Sequence, residues 1–458
     1  MSLMFTRAQL DAVIKAYDIR GLVDEQITPE FTFLLGTAFA QYLIEEREPA
    51  TVVVGEDMRP SSDDLATAFT DGLNSQGIDA IRIGLASTDM LYFASGSLNL
   101  PGAMFTASHN PAAYNGIKLA KSGARPIGAE SGLLRIKDLM SREIPMKLGP
   151  IGVTTERELL NDYVDFLLSL FGDDEFTAGR KLKVVVDAGN GMAGFTAPAL
   201  MSRLNVELIP LYFELDGNFP NHEANPIDPK NLVDLVKAVK KEKADIGLAF
   251  DGDADRCFLV DELGQLVNPS ALTSLIAIRE LKRRPGSTII YNLISSKAVP
   301  EIVEEHGGKS LRSRVGHSYI KKMMAESGAV FGGEHSGHFY FSDFWRADSG
   351  ALAALFAIAE LSHSDLPLSE LLAPLNRYFS SGEINTTVED PAKSVQLIKD
   401  RFASEFPVDE LDGITVEGPD WWFNVRPSNT EPLLRLNVEA HTPKLLKEVQ
   451  MRVLALIG

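Results

Sequence analysis

Val184-Val185-Val186-Asp187-Ala188-Gly189-Asn190-Gly191 is a β-branched run that stops in a polar, glycine-rich turn, and an alanine-rich stretch to Leu204 follows it. A short run without polar alternation is buried on both faces, the mark of a strand in a parallel α/β unit. The same plan occurs twice more. Upstream, Thr51-Val52-Val53-Val54-Gly55-Glu56-Asp57 leads into a helical pattern over Ser61 to Leu73. Downstream, Thr288-Ile289-Ile290-Tyr291-Asn292 is followed by Ser295-Ser296-Lys297, which open a helix to Glu305. A recurrence every ~100–130 residues predicts three related α/β domains of ordinary size.

The C-terminal part has another pattern. Trp421-Trp422-Phe423-Asn424-Val425 is strand-like, Leu433 to Val438 alternates, and a closing helix starts at Thr442. That predicts a smaller α+β domain. The expected limits are 1–150, 151–262, 263–373 and 374–458.

The 458 residues are 45% hydrophobic, an ordinary globular composition. With 63 acidic against 44 basic residues the net charge is -19, which repels nucleic acid and anionic membrane. Most of that acidity serves solubility, and an anionic substrate needs a local basic cluster to hold it. The single cysteine, Cys257, excludes an intramolecular disulfide and reads as a small core residue in a reducing compartment. No apolar run approaches the ~18–20 residues that cross a bilayer; Ala351 to Ala359 is too short. The start lacks a charged segment followed by an apolar one, so a cytoplasmic protein is expected.

Four clusters carry chemistry. Thr106-Ala107-Ser108-His109-Asn110-Pro111 sets one serine in a tight polar turn, before Gly116-Ile117-Lys118-Leu119. A serine hydroxyl is a poor nucleophile until its surroundings activate it. Asp251-Gly252-Asp253-Ala254-Asp255-Arg256 puts three carboxylates in a loop between two apolar strands. Crowded like charges oppose folding unless a cation neutralises them, and oxygen-only ligands favour Mg²⁺ or Ca²⁺ over zinc. An EF-hand is excluded: Glu262 falls at the twelfth position, but Arg256 occupies the glycine position and the flanks are strands. Gly332-Gly333-Glu334-His335-Ser336-Gly337-His338 combines close backbone approach with groups able to bond sugar hydroxyls and move a proton. Arg426-Pro427-Ser428-Asn429-Thr430-Glu431-Pro432 offers a guanidinium, hydroxyls, an amide and backbone N–H groups, the donors a phosphate dianion accepts from. Each alone has a bland reading as a solvated turn, a capping loop or a structural histidine; a serine, a cation site and a phosphate grip together indicate phosphoryl transfer.

Together with Tyr17-Asp18-Ile19-Arg20-Gly21 near the start, these motifs resemble, in order and over essentially the whole chain, the α-D-phosphohexomutase superfamily, most closely its bacterial phosphomannomutase/phosphoglucomutase branch. The resemblance implies an α/β protein of four domains, three related with mixed sheets and a smaller C-terminal α+β domain, around a central cleft. It implies that Ser108 is the phosphorylated residue and that Ser108, Asp251, Asp253 and Asp255 hold one Mg²⁺. Lys118 and His338 become candidates for general acid or base, supported by Arg20. Glu334 and Ser336 would read sugar hydroxyls; Arg426, Ser428, Asn429 and Thr430 would grip the non-reacting phosphate; Tyr17, Lys297 and His317 would line the substrate site. Glu56 stands where many relatives carry Arg, and His335 where the best-known branch often carries Met.

The implied reaction moves phosphate between C1 and C6 of a hexose through a phosphoserine enzyme and a hexose 1,6-bisphosphate, which also serves as activator. Mannose and glucose differ only at C2, a discrimination of ~1–3 kcal/mol that motifs do not carry. A phosphoglucosamine mutase is the alternative, disfavoured because that branch usually has Ser in place of Thr106. A serine-dependent sugar phosphatase and a non-catalytic sugar-phosphate binder are the rivals; the retaining loops oppose the first, and Ser108 with Lys118 the second. The expected partners are sugar phosphates, not nucleic acid or membrane, with monomer and dimer both open.

Overall fold

The computed structural model describes residues 4–145, 149–427 and 433–457. The chain forms two compact units. One reaches to Val267 and takes in Ser336–Ser369; the other comprises Asn268–His335 and the chain from Glu370 onward.

In the first unit the apolar runs become central strands. Thr51–Glu56 pairs in parallel with Asp79–Leu85 on one side and Gly102–Phe105 on the other. Val52, Val53 and Val54 are fully buried, as a run without alternation requires. Tyr114–Lys121 then returns antiparallel to Gly102–Phe105, with Met104 opposite Lys118 and Phe105 opposite Ile117. Ile19–Leu22 closes that edge, antiparallel to Tyr114–Lys121. Two helices cover one face, Pro29–Glu46 and Ser62–Ser75, and they pack at glycines. A Cβ on Gly36 would lie 2.1 Å from Phe69 O, and one on Gly72 2.1 Å from Phe33 O. Phe31, Phe39, Phe69 and Phe105 fill the core beneath.

The second sheet repeats the device. Leu182–Asp187 lies between parallel neighbours Val206–Leu211 and Ile246–Phe250, and Cys257–Asp261 returns antiparallel with Cys257 opposite Phe250. In both sheets a parallel strand runs into a turn and comes back, and the turn carries a candidate site loop. The strand starts at Ile246, after Ala244, whose N–H bonds Val239 O to end the preceding helix.

In the second unit Thr288–Asn292 lies between parallel strands Lys309–Ser313 and Phe331–Gly333. The following helix opens at Ala298, three residues later than Ser295. Ser295 Oγ bonds back to Asn292 Oδ1, and Ser296 Oγ accepts from the Ala298 N–H, so both serines belong to the turn before the helix. The last sheet is antiparallel throughout: Phe379–Thr387, Leu433–Ala440, Trp421–Pro427, Ile414–Glu417 and Val408–Asp409, in that order. Helices Pro391–Phe402 and Pro443–Ile457 pack on it around Phe402, Phe423 and Leu436. Three α/β parts with mixed sheets and an α+β C-terminal part are therefore present. No described helix is long and apolar enough to cross a membrane.

Candidate active site

Ser108 sits in the hairpin loop after Gly102–Phe105, with φ at +50°, a left-handed conformation unusual for a non-glycine residue. Thr106 Oγ1 accepts from its N–H at 2.9 Å. Its Oγ donates to Asp251 Oδ2 at 2.8 Å and lies 3.1 Å from His109 Nδ1. Asp251 begins the other hairpin loop, and glycine lets the two loops touch. A Cβ on Gly252 would fall 2.4 Å from Ser108 O. The spacing Asp-Gly-Asp thus serves backbone contact as well as carboxylate display.

Asp251, Asp253 and Asp255 are buried, each with a carboxylate oxygen within 4.8 Å of the others. Two cations offset them. Lys118 Nζ bonds Asp253 Oδ2 at 2.7 Å and Asp255 Oδ2 at 2.6 Å, and Arg256 Nε bonds Asp251 Oδ2 at 2.8 Å. Burial and the two neighbouring carboxylates, against Arg256, push Asp251 up to about 6. Burial acts on Asp253 in the same sense, but Lys118 and the Thr88 hydroxyl outweigh it and hold that carboxyl far below the usual range. Burial alone would lower the Lys118 ammonium; Asp253 and Asp255 instead raise it well above its ordinary value. Burial beside Arg256 and Arg20 depresses His109, leaving a neutral ring.

The donor set fits a hard divalent cation. Asp253 Oδ1 and Asp255 Oδ1 are buried with no hydrogen-bond donor, so two carboxylate oxygens remain available to an ion. The ligand atoms that Asp251, Asp253 and Asp255 offer are all oxygens, and flanking antiparallel strands replace the helices an EF-hand requires.

His338 is joined to the same hairpin through its backbone, by a bridge to Arg256, while the Cys257 N–H donates to Gly337 O at 3.1 Å. Its Nδ1 lies 3.0 Å from Asp348 Oδ2 and 3.7 Å from Asp255 Oδ1. A carboxylate facing Nδ1 favours the tautomer with the proton on that atom. Arg20 bonds Asn110 Oδ1 of the serine loop and Asp18 Oδ2, each at 2.5 Å. Ser108 and the three aspartates are buried, Arg20, Lys118 and His338 are half-buried beside them, and all seven lie within one compact unit.

The chain matches four families along its length: phosphoglucomutase/phosphomannomutase alpha/beta/alpha domain I over residues 11–144, domain II over 161–264, domain III over 268–378, and the C-terminal domain over 383–456. It is 38% identical over 450 residues to a phosphomannomutase of Escherichia coli K12, covering 96% of this chain and 97% of that one. This chain belongs to the phosphoglucomutase/phosphomannomutase family. A phosphomannomutase/phosphoglucomutase of Pseudomonas syringae is 37% identical over 449 residues, covering 96% of this chain and 94% of the relative. The crystal structure of a phosphoglucomutase/phosphomannomutase family protein from Burkholderia thailandensis superposes with a TM-score of 0.87 at 33% identity, covering 98% of both chains.

The remaining expected residues of this family member are divided between the two units. Tyr17 and Ser336 are half-buried in the first unit. In the second, Glu334 is buried and accepts from the Gly316 N–H at 3.1 Å. The Lys297 N–H donates to Glu439 Oε2 at 3.2 Å, and its Nζ lies 3.7 Å from Glu417 Oε2. His317 is the first residue of the helix His317–Ser327. Arg426 is buried and bonds Glu383 Oε2 at 2.6 Å, so part of its fork is engaged within its own sheet. Ser428, Asn429 and Thr430 lie outside the described residues.

Sequence reasoning passed over three residues. Thr88 bonds Asp253 twice, Oγ1 to Oδ2 at 2.6 Å and N–H to the backbone carbonyl at 3.0 Å; the cap pattern Ser87-Thr88-Asp89 was the available signal. Asp348 carries no signal, because its link to His338 is made only by a two-strand turn. Arg59 is the third, two residues beyond the run Thr51 to Asp57. Glu56 of that run pairs with Arg82.

Proposed function

We propose that this protein is a phosphohexomutase that interconverts hexose 1-phosphates and hexose 6-phosphates of mannose, glucose or both, with Ser108 as the phosphorylated residue. The single observation that carries the reading is Ser108 Oγ, 2.8 Å from Asp251, inside a buried cluster of three carboxylates compensated by Lys118 and Arg256. A non-catalytic binder has no need of that arrangement, and relatives matched over nearly their full length are mutases, which favours a mutase over a phosphatase.

In the proposed reaction the sugar's free hydroxyl attacks phosphorus. The O–P bond to Ser108 breaks, a new O–P bond to the sugar forms, and the hydroxyl proton leaves to a base. The hexose 1,6-bisphosphate turns end for end, and the transfer runs in reverse from its other phosphate, regenerating phospho-Ser108. His338, held by Asp348, takes and returns the proton at Nε2. Lys118 stays charged and stabilises the transferring phosphoryl oxygens, with Arg20 holding the loop through Asn110. Ser108, Asp251, Asp253 and Asp255 would hold Mg²⁺, which supplies charge neutralisation on phosphate oxygens. Glu334 and Ser336 are proposed to bond sugar hydroxyls. Arg426, Ser428, Asn429 and Thr430 are proposed for the second phosphate, with Tyr17, Lys297 and His317 contacting substrate. Hexose 1,6-bisphosphate as activator, a cytoplasmic location and domain limits near residues 150, 262 and 373 belong to the same reading.

The test is turnover on mannose 1-phosphate and glucose 1-phosphate, side by side, with Mg²⁺ and a trace of glucose 1,6-bisphosphate. Comparable rates make the enzyme dual-specific, and a strong bias names the sugar. No turnover on either, or steady release of inorganic phosphate, overturns the proposal.

A further inference from the structure

Arg59 follows the strand Thr51–Glu56 and is 3% exposed, yet nothing in the reaction above uses it. Its guanidinium is aimed at the backbone of the serine loop. Nη1 donates to Pro111 O and Tyr114 O, each at 2.9 Å; Nη2 donates to Ser108 O at 3.0 Å and Asn110 O at 2.7 Å. Four carbonyls within seven residues converge on one cation, and three of them lie in the loop before the strand Tyr114–Lys121 begins.

The fork is itself held on both sides. Asp57 Oδ2 lies 3.3 Å from Nε, and Asp57 Oδ1 accepts from the Arg59 N–H and from Ser62 Oγ. The Phe219 ring sits 5.1 Å from the guanidinium carbon. The adjoining backbone is so close that a Cβ on Gly217 would meet Arg59 Cα at 2.6 Å.

We propose that Arg59 is the positioning residue of the nucleophile: its fork holds the loop so that Ser108 keeps its left-handed backbone and aims Oγ at the transferring phosphorus. This rests on Ser108 being the phosphorylated residue. A non-glycine residue at positive φ is strained and persists only where its surroundings over-determine it. Fixing the carbonyl of Ser108 itself, together with those two, three and six residues on, does so. A lysine cannot reproduce this. Its three donors radiate from one nitrogen, whereas the four bonds here need two nitrogens in a planar fork. In-line transfer is sensitive to displacement on the ångström scale, so a loosened loop slows chemistry without weakening substrate binding. It also leaves the phosphoserine open to water.

The experiment compares Arg59→Lys with wild type for kcat, KM, inorganic phosphate released per turnover, and Tm. The expected result is a kcat lower by about 10²-fold, a KM within about threefold, and a larger share of turnovers ending in free phosphate. A kcat within twofold of wild type overturns the proposal. So does a loss that simply tracks the folded fraction, with phosphate release unchanged. If Arg59→Lys does not fold, Phe219→Leu decides, since it removes only the ring against the guanidinium. It should lower kcat severalfold at constant KM, and an unchanged kcat overturns the proposal. Ser108→Ala separates the two readings: activity retained there sinks Ser108 as nucleophile. Activity lost there but intact in Arg59→Lys sinks only the role of Arg59.

Discussion

Asp89 shows how much one buried side chain can organise. It is fully buried and accepts three hydroxyls: Ser87 Oγ at 2.5 Å, Ser349 Oγ at 2.6 Å and Tyr163 OH at 2.7 Å. Its neighbour Thr88 bonds Asp253, and Asp348, beside Ser349, bonds His338. One carboxyl thus ties together the two segments that support the cluster. Burial, partly offset by the three hydroxyls, pushes Asp89 up to about 6. The unfolded chain therefore releases this proton first, and the contribution of Asp89 to stability falls as pH rises from about 4 to about 6, then stays level. Asp89→Asn should flatten that part of the Tm-against-pH curve, read by calorimetry. An unchanged slope would mean the carboxyl titrates normally. Ser108→Ala should lower mutase turnover by at least about 10³-fold and abolish labelling of the protein by radioactive hexose bisphosphate, without loss of fold. Persistent labelling would place the phosphate elsewhere.

At the scale of elements, the site is made by two hairpins, each a parallel strand that turns and comes back. Their loops meet backbone to backbone at Gly252, whose Cβ would stand 2.4 Å from Ser108 O. Gly252→Ala must push the loops apart, at a cost of about 1–3 kcal/mol, and lengthen the bond from Ser108 to Asp251. It should depress kcat more than Gly36→Ala does. Gly36 lies between the helices Pro29–Glu46 and Ser62–Ser75, where an added Cβ would meet Phe69 O at 2.1 Å, so its substitution should lower Tm while sparing kcat per folded molecule. Equal effects of the two on kcat would remove the special place given to the loop contact.

For the whole molecule, the acidity is uneven in consequence. Most of the -19 is surface charge, but the three aspartates are buried and only partly balanced by Lys118 and Arg256. A cation bound there stabilises only the folded chain. Mg²⁺ at a hundredfold its dissociation constant should add about 2.7 kcal/mol, and EDTA should reverse the gain. A Tm indifferent to Mg²⁺ would show that the carboxylates do not take the ion. Much of this was legible in the sequence, for local reasons. Val52–Val54 and Val184–Val186 announce strands buried on both faces because they lack alternation, and the aspartate spacing announces a cation site because the one adjacent cation, Arg256, leaves three carboxylates incompletely neutralised. Helix starts slipped where a serine bonded back to the turn, as at Ser295. Composition and local pattern determined the strands, the loops and the chemistry each loop carries. Only the tertiary structure decided which charges meet. Lys118 reaches Asp253 across 135 residues, Asp348 supports His338 from the next strand, and Arg59 gathers four carbonyls that carry no side-chain signature. Those partnerships depend on strand order and close approach between loops, and backbone carbonyls look alike in any sequence.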